Sequence, residues 1–169
     1  MSEKNWDHWC TVYTDASVVG NGAYVGVRCI WGTLDPSDGP VRLEDIQACP
    51  PALVRADSFA AEIYGILFGV WVASQAWHEH GMTGCGVRCD NKGAVELVNR
   101  WQRKRKVHHK RADIRAIFKH FAEKIPKRVY IKARWVRGHQ SGNTAQAWLN
   151  NRVDALARGA SGATGGGVR

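Results

Sequence analysis

GVRCDNKGAVELVNRW, residues 86–101, decides the fold: a short strand, Gly86 to Cys89, ends on Asp90, and a helix begins over Asn91 to Trp101. A strand that stops at an acid and passes into a helix is the joint of an α/β sheet, and chemistry in such sheets gathers beyond the carboxyl ends of the strands. Upstream, Asp57 or Ser58 can cap a helix whose apolar residues Phe59, Ile63, Ile66, Leu67, Val70 and Trp77 keep helical spacing until Gly81. Further back, Trp9 to Thr14 and Gly22 to Trp31 are β-rich runs around a turn containing Asn21 and Gly22, which predicts a hairpin with Asp15 closing its first strand. Between hairpin and helix, Leu34 to Ala56 is irregular and offers only Val41 to Gln47 as a third strand. Downstream come a helix from about Ala112 to Lys124, ended by Pro126, an alternating strand from Arg128 to Val136, a glycine-containing loop, and a helix from Trp148 to Arg158. The order is βββαβααβα, an α/β domain with a five-stranded mixed sheet flanked by helices.

The 169 residues suffice for one domain with a hydrophobic core, expected over 1–158, and the glycine-rich stretch 159–169 reads as a flexible tail or linker. Five irregularly spaced cysteines fit reduced thiols. Cys85 and Cys89 should share one face of their strand, but no second Cys or His pair completes a zinc site. The charged start, MSEKNWDHWC, lacks an apolar signal core, and the longest apolar run, Ile66 to Ala73, is far short of a span. With no secretory or membrane address, an intracellular or virion location is expected. Seven Lys or Arg and no acid lie between Arg100 and Arg111, leaving only +2 of the net +9 for the rest of the chain. That concentration points to a polyanion partner.

Four acids occupy positions a purely structural plan would not choose. Asp15 and Asp90 stand at strand ends, where either alone could simply cap a turn or helix. Glu62 falls on or beside the apolar stripe of its helix, and Asp154 neighbours Val153, one turn after Asn150. Half-buried carboxylates need partners or a cation, and two of them about 4 Å apart repel by roughly 4 kcal/mol at an effective dielectric of about 20. A shared cation satisfies all four, and an open oxygen-only cluster selects Mg²⁺ or Mn²⁺ over zinc.

YTDAS (Tyr13–Ser17), FAAEIYGI (Phe59–Ile66), VRCDNKGAV (Val87–Val95) and GHQSGNTAQAWLNNRVDALAR (Gly138–Arg158) together resemble the type 1 ribonuclease H family, most closely that of retroviral and LTR-element polymerases, including gammaretrovirus-like ones. The resemblance spans nearly the whole chain. It implies a ribonuclease H-like fold and cleavage of the RNA strand of an RNA–DNA hybrid, leaving 5′-phosphate and 3′-hydroxyl ends. It makes Asp15, Glu62, Asp90 and Asp154 the ligands of two Mg²⁺ or Mn²⁺ ions, and His139 an assisting residue on the loop before the last helix. One ion then activates water and the other stabilises the leaving oxygen. A reverse transcriptase or other polyprotein domains are implied as neighbours, with the isolated domain a monomer.

Arg100, Trp101, Arg103, Lys104, Arg105, Lys106, Lys110 and Arg111 fall where some family members carry a basic protrusion that grips the hybrid. Phe59 stands where relatives often carry an amide that reads the minor groove, so Ser17, Ser58 or Asn91 would supply more of the 2′-hydroxyl contacts. Two other readings share the pattern: a domesticated, catalytically weak or inactive binding module, and an integrase or transposase core. The intact acid set speaks against the first; the acid order and the GH loop before the last helix speak against the second.

Overall fold

The computed structural model describes residues 9–19, 22–31, 43–48, 58–76, 81–106, 109–137 and 154–155. Its strands are β1 (Trp9–Val19), β2 (Gly22–Trp31), β3 (Leu43–Ala48), β4 (Gly84–Cys89) and β5 (Tyr130–Trp135), and its helices are α1 (Ser58–Ala76), α2 (Lys92–Lys104) and α3 (Ala112–Ala122). The five strands form one sheet in the order β3-β2-β1-β4-β5. β1–β2 and β2–β3 pair antiparallel, whereas β1–β4 and β4–β5 pair parallel. The mixed sheet read from the sequence is therefore the one observed. Asp154 and Ala155 are helical, as expected, while the remainder of the last helix, the loop carrying His139, most of 34–56 and the tail 159–169 lie outside the described residues.

β1 differs from its expected length in a way that shapes the site. It does not stop at Thr14 but continues through Asp15 to Val19, with Asp15 opposite Gly26 of β2. Its parallel ladder with β4 ends earlier, at Tyr13 opposite Arg88. Asp15 thus stands where β1 has parted from β4 but is still held by β2. The antiparallel partner sustains the strand after the parallel one has turned into its helix.

α1 lies on one face of this sheet. Ala60, Ala61, Ile63, Ile66, Leu67, Val70 and Ala73 are all buried. Apolar on most sides, the helix is covered by the sheet and by the two later helices, the behaviour expected of a core helix. Tyr64 meets Phe121 of α3 edge-on at 5.2 Å between ring centroids. At Gly65 the helix comes so close to the sheet that a Cβ would stand 3.0 Å from Thr14 Oγ1 and 3.3 Å from Val25 Cγ1. That approach sets Glu62, one turn earlier, down beside the end of the β1–β4 ladder.

α2 closes the β5 side of the sheet. The Asn99 amide brackets one residue of the strand, donating to Ala133 O and accepting from Ala133 N, each at 2.9 Å. Gln102 Oε1 accepts from Ile131 N at 3.2 Å. Backbone groups of an edge strand that would otherwise face solvent are thereby satisfied.

Candidate active site

Each of the four acids arrives on a different element. Asp15 comes from β1, Glu62 from α1, Asp90 from the residue after β4, and Asp154 from the helical pair near the C-terminus. Asp15 and Glu62 are buried, at 6% exposure each, although both are carboxylic acids. Asp15 is hydrogen-bonded to the side chain of Asp154 and feels the charges of Glu62, Asp90 and Asp154. Glu62 feels Asp90 and is hydrogen-bonded to the side chains of Asp15 and Cys89 and to the backbone of Ala16. The tertiary fold brings together all four acids singled out in the sequence.

Electrostatics follows from that crowding. Burial first, then the neighbouring acids, push Asp15 up to about 10. Burial and the Asp90 charge push Glu62 up to about 8, against hydrogen bonds that favour its ionised form. Without a cation the pair holds protons at neutral pH, since charging both in a low-dielectric crevice is unfavourable. Ligating atoms of Glu62, Cys89 and Asp90 lie within 4.8 Å of one another, close enough for a single ion. The donor set is dominated by carboxylate oxygen, and its charge is relieved by protonation when nothing else relieves it. It fits a hard divalent cation.

Two residues at the site went unread in the sequence. Cys89 is fully buried, and its thiol donates to Glu62 Oε2 at 3.3 Å. The signal was there: Cys85, Val87 and Cys89 alternate onto one face of β4, α1 covers that face, and Glu62 sits on the α1 stripe. Trp135, half exposed at the end of β5, donates its indole N–H to Asp90 O at 3.1 Å. With Val136 N donating to Cys89 O at 2.9 Å, it ties the end of β5 to the strand end that carries Asp90.

The basic stretch is partly rearranged from expectation. Trp101 is not a nucleic-acid contact interleaved with cations: it is 1% exposed and packs on Phe118 with centroids 5.2 Å apart. Arg105 is committed to the fold. Left-handed at φ 56°, it caps α2, and its guanidinium donates to the carbonyls of Ile125, Pro126 and Val129 while lying 4.7 Å over the Trp101 ring. Arg111 donates to both carboxylate oxygens of Asp113, at 3.1 and 2.6 Å. Asn91 caps α2, its Oδ1 accepting from Ala94 N at 3.0 Å, so that oxygen is already engaged. Arg100, Arg103, Lys104, Lys106, Lys110 and Ser58 are exposed, and the side chain of Ser17 lies outside the described residues. Phe59 is half-buried, its ring 6.3 Å from that of His109.

Solved structures share this architecture. The ribonuclease H1 of the halophilic archaeon Halobacterium salinarum superimposes with a TM-score of 0.56 at 18% identity, over 90% of this chain and 97% of that one. The chain has a ribonuclease H-like fold. LC11-RNase H1 from compost, solved in complex with an RNA/DNA hybrid, matches with a TM-score of 0.57 at 14% identity, over 87% of this chain and 92% of that one. The protease–reverse transcriptase of prototype foamy virus matches with a TM-score of 0.61 at 19% identity, over 89% of this chain but 20% of the viral one. No protein-family model matches the sequence, and no curated protein matches it. Among the described residues no helix is long and apolar enough to cross a membrane.

Proposed function

We propose that this protein is an endoribonuclease of the retroviral ribonuclease H type, hydrolysing the RNA strand of RNA–DNA hybrids to 5′-phosphate and 3′-hydroxyl ends. The observation that carries the reading is the convergence of Asp15, Glu62, Asp90 and Asp154, from four elements, where β1 parts from β4. These four side chains would hold two Mg²⁺ or Mn²⁺ ions. When bound, divalent cations there neutralise charge on the scissile phosphate and make water a better nucleophile. Glu62 and Asp15 would give up their protons as cations took their place, so binding there would depend on pH. Asp90, whose carbonyl accepts from the Trp135 indole, is less buried than Asp15 and Glu62. His139, which the family resemblance makes an assisting residue, would move a proton to or from the departing product, since imidazole titrates near neutrality.

Exposed Arg100, Arg103, Lys104, Lys106 and Lys110 would run along the phosphates of the DNA strand, giving affinity without sequence preference. Ser17, Ser58 and Asn91 would supply contacts on the RNA side. The foamy-virus match and the motif order favour origin in a retroelement polymerase, beside a reverse transcriptase, with residues 1–158 as the domain and 159–169 as linker.

The test is incubation with an RNA–DNA hybrid, duplex RNA and duplex DNA, first in Mg²⁺ and then in Mn²⁺. Cleavage confined to the RNA of the hybrid is the expected outcome. Hybrid binding without cleavage at high enzyme would replace this reading with that of a non-catalytic binding module.

A further inference from the structure

Cys89 touches the acid cluster without belonging to the acid set. It is the last residue of β4, on the face that α1 covers, and it is fully buried. Its Sγ lies 3.3 Å from Glu62 Oε2 and 3.5 Å from the backbone N of Asn91. The geometry is a relay: the Asn91 N–H points at the sulfur, and the sulfur presents its hydrogen to the carboxylate. The backbone that carries the sulfur is fixed at two points: Asn91 is the N-cap of α2, and Cys89 O accepts from Val136 N at 2.9 Å.

A thiol carries its hydrogen in the ordinary neutral form, and at 3.3 Å from Glu62 Oε2, with the Asn91 N–H on its other side, the sulfur is placed to donate to the carboxyl. A hard ion such as Mg²⁺ prefers the neighbouring carboxylate oxygens to sulfur. A glutamate side chain has three torsions to fix, and Glu62 reaches the cluster across a helix–sheet interface. Asp15 and the Ala16 backbone hold its carboxyl from β1, and without the thiol the β4 side of that carboxyl would be left to order as the ion binds.

We propose that Cys89 is a positioning residue for cation binding: its S–H anchors Glu62 Oε2 and presets the Glu62 side chain, so that less ordering is left for the ion to impose. The role rests on reading the acids as the ion site, but not on the cleavage that would follow.

The test compares Cys89→Ala, Cys89→Val and Cys89→Ser with the wild-type chain. Ala and Val both remove the donor, Val with less loss of volume, while Ser retains it. Mg²⁺ affinity is read from the rise of Tm as Mg²⁺ is titrated into EDTA-treated protein, a readout independent of cleavage. The half-saturating Mg²⁺ concentration and kcat for hybrid cleavage are read separately. Loss of one net hydrogen bond should weaken Mg²⁺ binding by roughly fivefold in both Ala and Val. The loss should appear chiefly in the half-saturating Mg²⁺ concentration, and Ser should restore the affinity. Unchanged Mg²⁺ affinity in Val would overturn the proposal, as would a Ser variant no better than Ala, which would make the effect one of packing. A wild-type chain that binds Mg²⁺ with this Cys89 dependence yet cleaves no hybrid would refute the nuclease reading and leave the positioning role standing.

Discussion

Asp15 and Glu62 are two of the very few polar side chains in an otherwise apolar core, and their positions explain both their cost and their use. Replacing Asp15 by Asn removes a group that is difficult to ionise where it stands. Asp15→Asn should bring hybrid cleavage down to background while leaving Tm in EDTA at pH 8 unchanged or higher, with a stability gain on the order of 1 kcal/mol. Calorimetry beside a cleavage assay checks both halves; a large loss of Tm would make Asp15 structural. The four acids were legible in the sequence because acids at strand ends and on an apolar stripe break the local pattern. Cys89 was not, because a thiol next to Asp90 looks like ordinary core until α1 is seen to place Glu62 against it. Trp101 misled in the opposite sense. Set among cations it read as part of the stretch that grips the hybrid, yet its position on α2 turns it toward Phe118, and Trp101→Ala should cost about 3–5 kcal/mol in urea unfolding.

Among the elements, the end of α2 separates exposed charge from charge built into the fold. Arg105 terminates the helix and clamps the α3–β5 connection, whereas Arg103, Lys104 and Lys106 around it are exposed. Neutralising those three exposed residues should weaken hybrid binding and shallow its log–log salt dependence by up to about 0.9 for each phosphate left without a cation, with stability within about 0.5 kcal/mol of wild type. Arg105→Gln should do the reverse, lowering stability by about 1–3 kcal/mol with a smaller change in salt slope. Binding isotherms at several salt concentrations, paired with urea curves, distinguish the two. No reading of RWQRKRK by itself could sort these cations, since the sorting depends on which of them faces the carbonyls of Ile125, Pro126 and Val129. Strand β1 gives a parallel case: its alternation is visible, but where it ends is decided by β2, which still pairs with it after β4 has turned away.

For the whole molecule, the crowded acids couple folding to pH and to cations. In the unfolded chain these carboxyls lose their protons near pH 4, whereas in the fold Glu62 and Asp15 keep theirs up to about 8 and about 10. Between those limits the native state binds more protons than the unfolded one, so this contribution to stability is greatest at acid pH and is lost as pH rises. In EDTA, Tm should therefore fall between about pH 5 and pH 9, and less steeply in Asp15→Asn. Under the proposed function Mg²⁺ would compete with those protons, so the Tm gained on adding it should be larger at pH 8.5 than at pH 6. A Tm in EDTA that climbs through this range would show the acids to be ionised and stabilising without an ion.

Local chemistry alone was enough to establish the element order, the mixed sheet and the residues out of keeping with a structural plan, because periodicity and turn residues act over a few positions of chain. Which strand neighbours which, how far β1 runs, which cations are consumed by backbone carbonyls and what touches Glu62 were settled by packing. Those outcomes turn on contacts between residues far apart in sequence, such as Cys89 with Glu62 and Asn99 with Ala133, and no local pattern carries that information.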